Sequence, residues 1–220
     1  MDALLRRRLM MQQGGGPTPP PHTLVLYSYI KFDGQAYIDT DIVIPADGSL
    51  RVGLGNETTK AAQGVFSAGD NVSGRIALWY SSATTTTNRR MAVAYDSTAA
   101  IASNRNLSFS NSVTYTFFMT PLRYGWGTTS YTYTKGSQHP TGKLSLGYSA
   151  SGTHYTGTMQ IVRVYDEDAK NSTSASGFNN YTNLYSIQPC TYDGEPGMWC
   201  EELQAFWGNS AGVGTLTVYN

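Results

Sequence analysis

From about residue 23 to its end, the chain is a succession of short runs rich in branched and aromatic residues, each bounded by turn residues. Such side chains favour strands, and Asp-Gly pairs such as Asp33-Gly34 and Asp193-Gly194 are typical of hairpin turns. No part of this region keeps a helical period. Many short strands at this spacing predict an all-β sandwich of two antiparallel sheets. The predicted strand runs are Tyr29–Phe32, Ala36–Asp39, Leu50–Leu54, Gly64–Ala68, Arg75–Tyr80, Met91–Tyr95, Val113–Met119, Leu122–Trp126, Ser130–Thr134, Lys143–Tyr148, Met159–Tyr165 and Thr215–Tyr219.

Charge and hydropathy narrow the classes of partner. The net charge is zero and 14% of the 220 residues are charged, whereas a nucleic-acid-binding domain usually carries a basic excess. No stretch is long and apolar enough to cross a membrane. We therefore expect neither nucleic acid nor a membrane as a partner.

The N-terminal end differs in composition from the rest. Residues 1–13 (MDALLRRRLMMQQ) are good helix formers, and residues 14–22 form a Gly- and Pro-rich linker. The predicted domains are the arm 1–13, the linker 14–22 and the β domain 23–220. We expect the arm to anchor the domain to a partner or to bundle with copies of itself; the alternative is a tail that anchors nothing. The predicted anchoring residues are Leu4, Leu5, Arg6, Arg7, Arg8, Leu9 and Met10.

Two stretches of the β region carry a family resemblance. One is Tyr29–Thr40 (YIKFDGQAYIDT), and the other is Ile187–Trp199 (IQPCTYDGEPGMW) with the following FWGN and GTLTV segments. Together they resemble the concanavalin A-like (laminin-G-like) jelly-roll domains of gut bacteria and their phages. The resemblance covers about residues 27–218 and implies a jelly-roll β-sandwich. The chain departs from the pattern at Cys200, where Asp is usual, and at Trp207, where Tyr is usual.

The first eleven residues, MDALLRRRLMM, resemble the starts of small structural proteins of crAss-like gut phages. This resemblance implies a virion protein on the outer surface of the capsid, either a head fibre or a capsid decoration protein. The implied partners are the major capsid protein or other virion proteins, and further copies of the chain, often as a trimer. The arginines follow Leu4 and Leu5 with no apolar run behind them, so we expect no secretory signal. The alternative is a secreted or cell-surface carbohydrate-binding module of a gut bacterium.

Glucanases share this type of fold, so carboxylate pairs decide whether an enzyme is expected. Glycoside hydrolysis needs two carboxylates that face the scissile bond. The one dense acidic cluster, Asp166–Asp168, follows an apolar run and precedes Lys170, which is typical of a solvated turn. Glu201 and Glu202 are adjacent and would point to opposite faces of a strand. We expect no catalytic residue and no enzyme activity.

Metal-ligating residues are sparse. His22, His139 and His154 are far apart in the sequence, and none has a His or Cys at ligand spacing. Asp39 and Asp41 could present oxygens to Ca²⁺, although alternating acids at a strand end are more often plain surface. We expect no metal and no cofactor, and the sequence leaves Ca²⁺ binding open.

Carbohydrate binding is the chemistry that the sequence favours most. Sugars offer apolar C–H faces that stack on aromatic rings, and their hydroxyls bond to polar side chains. The alternative is that the same rings fill the sandwich core or an interface, with a polar tip outward. The candidate glycan-binding residues are Trp79, Tyr80, Tyr124, Trp126, Tyr131 and Tyr133.

The chain contains two cysteines, Cys190 and Cys200. The intervening glycines and proline make closure of a bridge sterically possible. A pair this sparse does not indicate a disulfide framework, and we expect two unpaired thiols.

Overall fold

The computed structural model describes residues 22–55, 62–70, 72–83, 88–100, 102–108, 114–150 and 152–220. The predicted arm 1–13 and the linker up to residue 21 lie outside these ranges, and the division into arm, linker and β domain therefore stays a prediction. The same holds for the predicted anchoring residues Leu4, Leu5, Arg6, Arg7, Arg8, Leu9 and Met10.

The described residues form seventeen strands, and every pair of hydrogen-bonded neighbours is antiparallel. The strands are β1 (Leu24–Leu26), β2 (Tyr29–Asp33), β3 (Ile38–Val43), β4 (Ser49–Gly55), β5 (Gln63–Asp70), β6 (Gly74–Ala83), β7 (Asn88–Ser97), β8 (Ala102–Ser108), β9 (Tyr115–Met119), β10 (Arg123–Trp126), β11 (Thr129–Thr132), β12 (Lys143–Leu146), β13 (Thr156–Tyr165), β14 (Asn183–Tyr192), β15 (Glu195–Cys200), β16 (Ala205–Trp207) and β17 (Leu216–Tyr219).

These strands build two sheets. The larger has eleven strands and follows the path β11–β10–β9–β4–β13–β14–β15–β16, with β2 beside β13, β17 beside β2 and β1 beside β14. The smaller has six strands in the order β3–β12–β5–β6–β7–β8. Eight of the fifteen described strand pairings join consecutive strands, and the other seven join strands that are remote in the sequence.

The sheets pack face to face because their strands alternate apolar and polar residues. Strand β3 shows the pattern: Ile38, Thr40 and Ile42 are buried, whereas Asp39 and Asp41 are exposed. Successive side chains of a strand point to opposite faces, so this spacing gives the sheet one apolar face. The inner faces of both sheets contribute to one continuous core, and burial of its apolar surface stabilises the fold by roughly 25 cal/mol per Å².

A second, smaller apolar cluster lies on the outer face of the eleven-stranded sheet. Phe118 on β9 and Tyr165 at the end of β13 are covered there by two short 3-10 helices, Glu167–Asn171 and Ser176–Asn180. Phe178 of the second 3-10 helix packs between them, with ring centroids 5.7 Å from Phe118 and 4.8 Å from Tyr165. This contact fixes residues 167–180 against the outer face of the sheet.

The β14–β15 hairpin contains the second resemblance motif. Asp193 and Gly194 form its turn with φ of 52° and 85°, which is the left-handed conformation that Asp-Gly turns supply. On the outer face, the ring of Tyr192 stacks on Trp199 and Phe206, with centroids 5.9 and 5.3 Å apart. The motif therefore encodes a tight hairpin and an aromatic cluster.

The two cysteines are free and buried, which confirms the prediction of unpaired thiols. Cys190 is paired with Gly197, and Cys200 is paired with Ile187. Three residues along β15, about 10 Å, separate these two pairs, and the cysteines point to opposite faces of the sheet. A disulfide needs Cα atoms closer than about 7 Å, so the fold does not permit this bridge. Burial raises the pKa of Cys190 to about 12 and that of Cys200 to about 11.

The predicted all-β jelly-roll sandwich of two antiparallel sheets is confirmed. No helix within the described ranges combines the length and the apolar character that a membrane-spanning helix requires.

Candidate functional site

The six candidate ring residues fall on two different sheets. Trp79 and Tyr80 lie on β6 of the six-stranded sheet. The other four lie on or directly after β10 and β11, at one edge of the eleven-stranded sheet: Tyr124, Trp126, Tyr131 and Tyr133. The structure therefore brings four of the candidates together and separates two from them.

Two of the candidates belong to the core. Tyr80 is 1% exposed and Tyr124 is 2% exposed. A ring with no exposed face has none to offer to a sugar, so the glycan-binding prediction is corrected for these two residues. Their phenol rings fill the space between the sheets, which is the alternative reading of such residues.

The side chains of Tyr133 and Trp79 each make a contact within the protein. The Tyr133 hydroxyl donates to the backbone carbonyl of Thr120, and burial raises the pKa of Tyr133 well above its usual value. The guanidinium of Arg75 lies 4.6 Å from the centroid of the Trp79 ring, a cation–π contact that covers one face of the indole.

The four candidates at this edge, Tyr124, Trp126, Tyr131 and Tyr133, form an aromatic row. Trp126 and Tyr131 are partly exposed members of it. Strands β9, β10 and β11 are an antiparallel meander in which Trp126 is paired with Phe117 on one side and with Thr129 on the other. The ring of Tyr131 lies 5.5 Å from Trp126 and 5.6 Å from Tyr124. Both rings are partly exposed and rest on core aromatic residues behind them, so the row connects the surface to the core.

A depression of about 530 Å³ lies beside this row. One wall comes from the β10–β11 turn, and another comes from the start of the second 3-10 helix. The two walls are joined by a hydrogen bond of 2.7 Å from the backbone N–H of Ala175 to the carbonyl of Gly127. The lining residues are Arg51, Thr114, Tyr115, Thr116, Trp126, Gly127, Thr128, Thr129, Ala175 and Ser176.

The chemistry of this lining is mainly aromatic and hydroxylic. By strand alternation, Trp126 and Tyr115 point to the core face of the sheet, whereas Arg51 and Thr116 point to its outer face. Both sets line the depression, together with three more threonines and a serine, and none of the described lining residues is acidic. Arg51 is the single charged residue among them. Its Nη1 donates to Asn179 Oδ1 at 2.7 Å, which ties the guanidinium to the second 3-10 helix.

The predicted acidic cluster lies in a solvated turn, as expected. Asp166 follows β13 and caps the first 3-10 helix by accepting from the backbone N–H of Glu167 at 2.7 Å. Asp166, Glu167 and Asp168 are all exposed, and none of them lines the depression.

An Asp–His pair elsewhere resembles part of a catalytic triad. His139 Nδ1 lies 2.8 Å from the carboxylate of buried Asp96, but its Nε2 lies 3.1 Å from the carbonyl oxygen of Ile44. A carbonyl can only accept, so Nε2 donates there and is not available as a base. The pair therefore holds the 135–140 loop against the sandwich.

Metal ligands do not converge within the described residues. No three His, Cys, Asp or Glu side chains there could hold one ion. Asp39 accepts from Ser145 Oγ at 2.5 Å, and Asp41 pairs with Lys143 at 2.6 Å.

Most of the depression could not be predicted from the sequence. Arg51 and Thr116 come from neighbouring strands β4 and β9, and Ser176 comes from a segment later in the chain. No local pattern marks these residues, because only the pairing of remote strands brings them beside Trp126.

Comparison with known proteins supports the fold and goes no further. No protein-family model and no curated protein sequence matches the chain. A solved structure of a proposed carbohydrate-binding protein from Bacteroides ovatus aligns with a TM-score of 0.54 at 9% identity, over 89% of this chain and 61% of that one. The enzymatically active domain of tailspike protein 2 from bacteriophage CBA120 aligns with a TM-score of 0.45 at 10% identity, over 74% of this chain and 32% of that one. This chain thus spans less than two thirds of either protein, and the first likeness shows a shared β-sandwich fold.

Proposed function

We propose that the chain is a carbohydrate-binding protein and that its sugar site is the depression beside Trp126. The observation that carries the proposal is the lining itself, in which two aromatic residues occur with five hydroxyl-bearing residues. The volume of about 530 Å³ lies within the range of roughly 300–1,000 Å³ that is usual for ligand sites. The proposed carbohydrate binding of the B. ovatus protein with the same fold supports this choice.

The lining suits a saccharide because it combines two kinds of contact. Trp126 lies partly exposed at the end of β10, where its apolar surface can contact the C–H face of a pyranose. The hydroxyls of residues such as Thr116, Thr129 and Ser176 can exchange hydrogen bonds with its hydroxyl groups. Tyr131 holds the indole from behind at 5.5 Å, so the stacking surface is already formed before a ligand arrives.

We propose binding without catalysis. Glycoside hydrolysis requires two carboxylates on either side of the bond that breaks. The described lining of the depression supplies none, and the exposed acids nearest in sequence to its 3-10 wall, Asp166–Asp168, are not part of it.

Affinity electrophoresis tests the proposal. Native gels containing xylan, mannan, starch or polygalacturonate would be run with the full-length protein, Trp126→Ala and Trp79→Ala. We expect at least one polymer to retard the wild type and Trp79→Ala, whereas Trp126→Ala loses about tenfold in affinity or more, as for a central aromatic contact. The proposal would be contradicted if Trp126→Ala were retarded as strongly as wild type, or if no protein were retarded in any gel.

We further propose that the chain is a virion surface protein, a head fibre or decoration protein that residues 1–13 anchor to the capsid, often as a trimer. The sequence resemblance of the first eleven residues and the Gly- and Pro-rich linker support this role. His22, the first described residue, contacts the β14–β15 hairpin: its ring stacks on Tyr192 at 5.0 Å, and its Nδ1 lies 2.6 Å from Asp193 Oδ2. An anchored array of sandwiches would bind a surface glycan through many weak contacts.

Capsid binding of the full chain tests this role. Wild type and a Leu4→Asp/Leu9→Asp double variant would be mixed with empty capsids and sedimented, and their masses would be measured by light scattering. We expect wild type alone to co-sediment as a defined oligomer. If neither protein co-sediments and both are monomers, the chain is better described as a carbohydrate-binding module of a bacterial cell surface.

A further inference from the structure

We propose that the depression binds an acidic saccharide, and that Arg51 and Arg163 form the subsite for its negative group. This inference rests on the proposed function, because it names the class of sugar for the same site. Two observations carry it. Arg51 is the single charged residue of the described lining, and a second arginine is its direct partner across the neighbouring strand.

The two arginines are placed where like charges repel. Arg51 on β4 is paired with Arg163 on β13, and both are partly exposed on the outer face of the eleven-stranded sheet. Side chains paired in this way have Cβ atoms roughly 4.5–5.5 Å apart, and like charges there destabilise a sheet. A bound anion would be attracted by both guanidinium groups and would offset their repulsion.

Protein carboxylates do not neutralise this pair. In the described part of the chain no ion pair involves Arg51 or Arg163, whereas Lys135, Lys143 and Lys170 each pair with an aspartate or glutamate. The two guanidinium groups therefore differ from these three lysines, whose charges are matched within the protein.

One acid reaches the same row of the sheet. Glu202 accepts from Asn183 Nδ2 at 3.2 Å and from the backbone N–H of Ser186 at 3.0 Å, and Ser186 is paired with Arg163. Glu202 therefore lowers the positive potential around Arg163 more than around Arg51, which is one strand further away. Arg51 is accordingly the principal anion contact, and Arg163 adds to the potential.

The geometry of arginine defines the class of ligand. A guanidinium presents its N–H groups as a rigid fork that matches a carboxylate or sulfate with two parallel hydrogen bonds. Asn179 occupies one N–H at Nη1 and holds the group in place, and no other described side chain accepts from the guanidinium. A saccharide bound in the depression would thus direct its carboxylate or sulfate ester toward Arg51, on the outer face of the sheet.

Binding of matched polymers tests the inference. The affinity of the full-length protein would be measured for polygalacturonate, its carboxyl-reduced counterpart, dextran sulfate and dextran, in about 0.05 M and about 0.5 M NaCl. We expect an acidic polymer to bind about tenfold tighter than its neutral counterpart at low salt, a preference worth about 1.4 kcal/mol. The polygalacturonate arm identifies a uronate carboxylate, and the dextran sulfate arm identifies a sulfate ester.

Four variants assign the effect to named residues. Arg51→Gln should remove the preference for the acidic polymer, and Arg163→Gln should reduce it by a smaller factor. Arg51→Lys, which keeps the charge but not the fork, should retain part of it. Lys170→Gln removes one positive charge from a half-buried residue outside the depression and should leave the preference unchanged. Thermal melting of each variant confirms that it is folded.

The outcomes separate the two proposals. If Trp126→Ala weakens binding while wild type and Arg51→Gln treat acidic and neutral polymers alike, the carbohydrate function stands and the acidic subsite is overturned. An equal loss in Lys170→Gln and Arg51→Gln would also overturn the subsite, because binding would then follow net charge. If no polymer binds any of these proteins, both proposals fail.

Discussion

Replacement of Gly197 by alanine tests the account of the β14–β15 hairpin. Gly197 has no room for a side chain: an added Cβ would press against the backbone carbonyl of Trp207 and would lie 2.5 Å from Phe206 Cε2 and 2.8 Å from its Cζ. The carbonyl belongs to β16, which pairs with β15 through Met198 and Trp207, so it cannot retreat without loss of that pairing.

The structure gives the size of the expected effect. Overpacking of a filled position costs about 1–3 kcal/mol. Displacement of the Phe206 ring also weakens its stack on Tyr192, 5.3 Å away, and such a pair contributes about 0.5–1.5 kcal/mol. Together these terms predict a loss of about 1.5–4.5 kcal/mol in the free energy of unfolding. For a chain of this size that corresponds to a fall in Tm of about 3–18 °C.

Thermal melting and urea unfolding of Gly197→Ala measure this loss, and Gly194→Ala is the matched control. Gly194 lies in the same hairpin with φ of 85°, and no atom lies within 4 Å of its added Cβ. Its substitution costs only the left-handed conformation, roughly 1–2 kcal/mol. A Gly197→Ala protein as stable as wild type, or more stable than Gly194→Ala, would refute the reasoning.

Two further predictions concern Asp33 and the thiols. Partial burial raises the pKa of Asp33, but hydrogen bonds from the backbone N–H groups of Ala36, Gln35 and Thr215 outweigh it and hold the pKa below its usual value of 3.8. The carboxylate therefore stabilises the fold above pH 3.8 and loses this contribution as the pH falls through the lowered pKa. Asp33→Asn should accordingly reduce Tm at pH 7 and reduce it less near pH 2. An equal reduction of Tm at the two pH values would contradict this prediction. The native protein should react slowly with a thiol reagent at pH 8, because burial raises the pKa of Cys190 to about 12. On unfolding without reductant, two thiols should react. Fewer than two reactive thiols would indicate a disulfide.

The layered fold could be predicted from the sequence because strand periodicity is local. The runs from Tyr29–Phe32 to Met159–Tyr165 correspond to strands of the structure. The predicted strand runs omit the second resemblance motif, although it contains most of strands β14 and β15. Its glycines and prolines mask the strand pattern, because both residue types are uncommon inside strands. Gly197 is needed there because the Phe206 ring and the Trp207 carbonyl approach its Cα closely.

The candidate site could be predicted only in part. Alternation shows that Trp79 and Tyr80 face opposite sides of β6, but it does not say which side is the core. Trp126 could be predicted as a sugar-contacting residue because it is aromatic, whereas nothing in the sequence marked Arg51 as part of the site. The partners of Arg51, Arg163 and Asn179, come from distant strands and turns. The surface of a sandwich depends on long-range pairing that a single sequence does not reveal.

The indole N–H resonances of the full-length protein test the central claim most directly. The chain has four tryptophans, and each gives one such signal that a Trp→Phe variant assigns. Short oligomers of a polysaccharide that retards the protein would be titrated into a ¹⁵N-labelled sample. The account predicts a dose-dependent shift of the Trp126 signal, while Trp79, Trp199 and Trp207 stay unchanged. A shift confined to one of those three, with Trp126 unmoved, would contradict the proposed site.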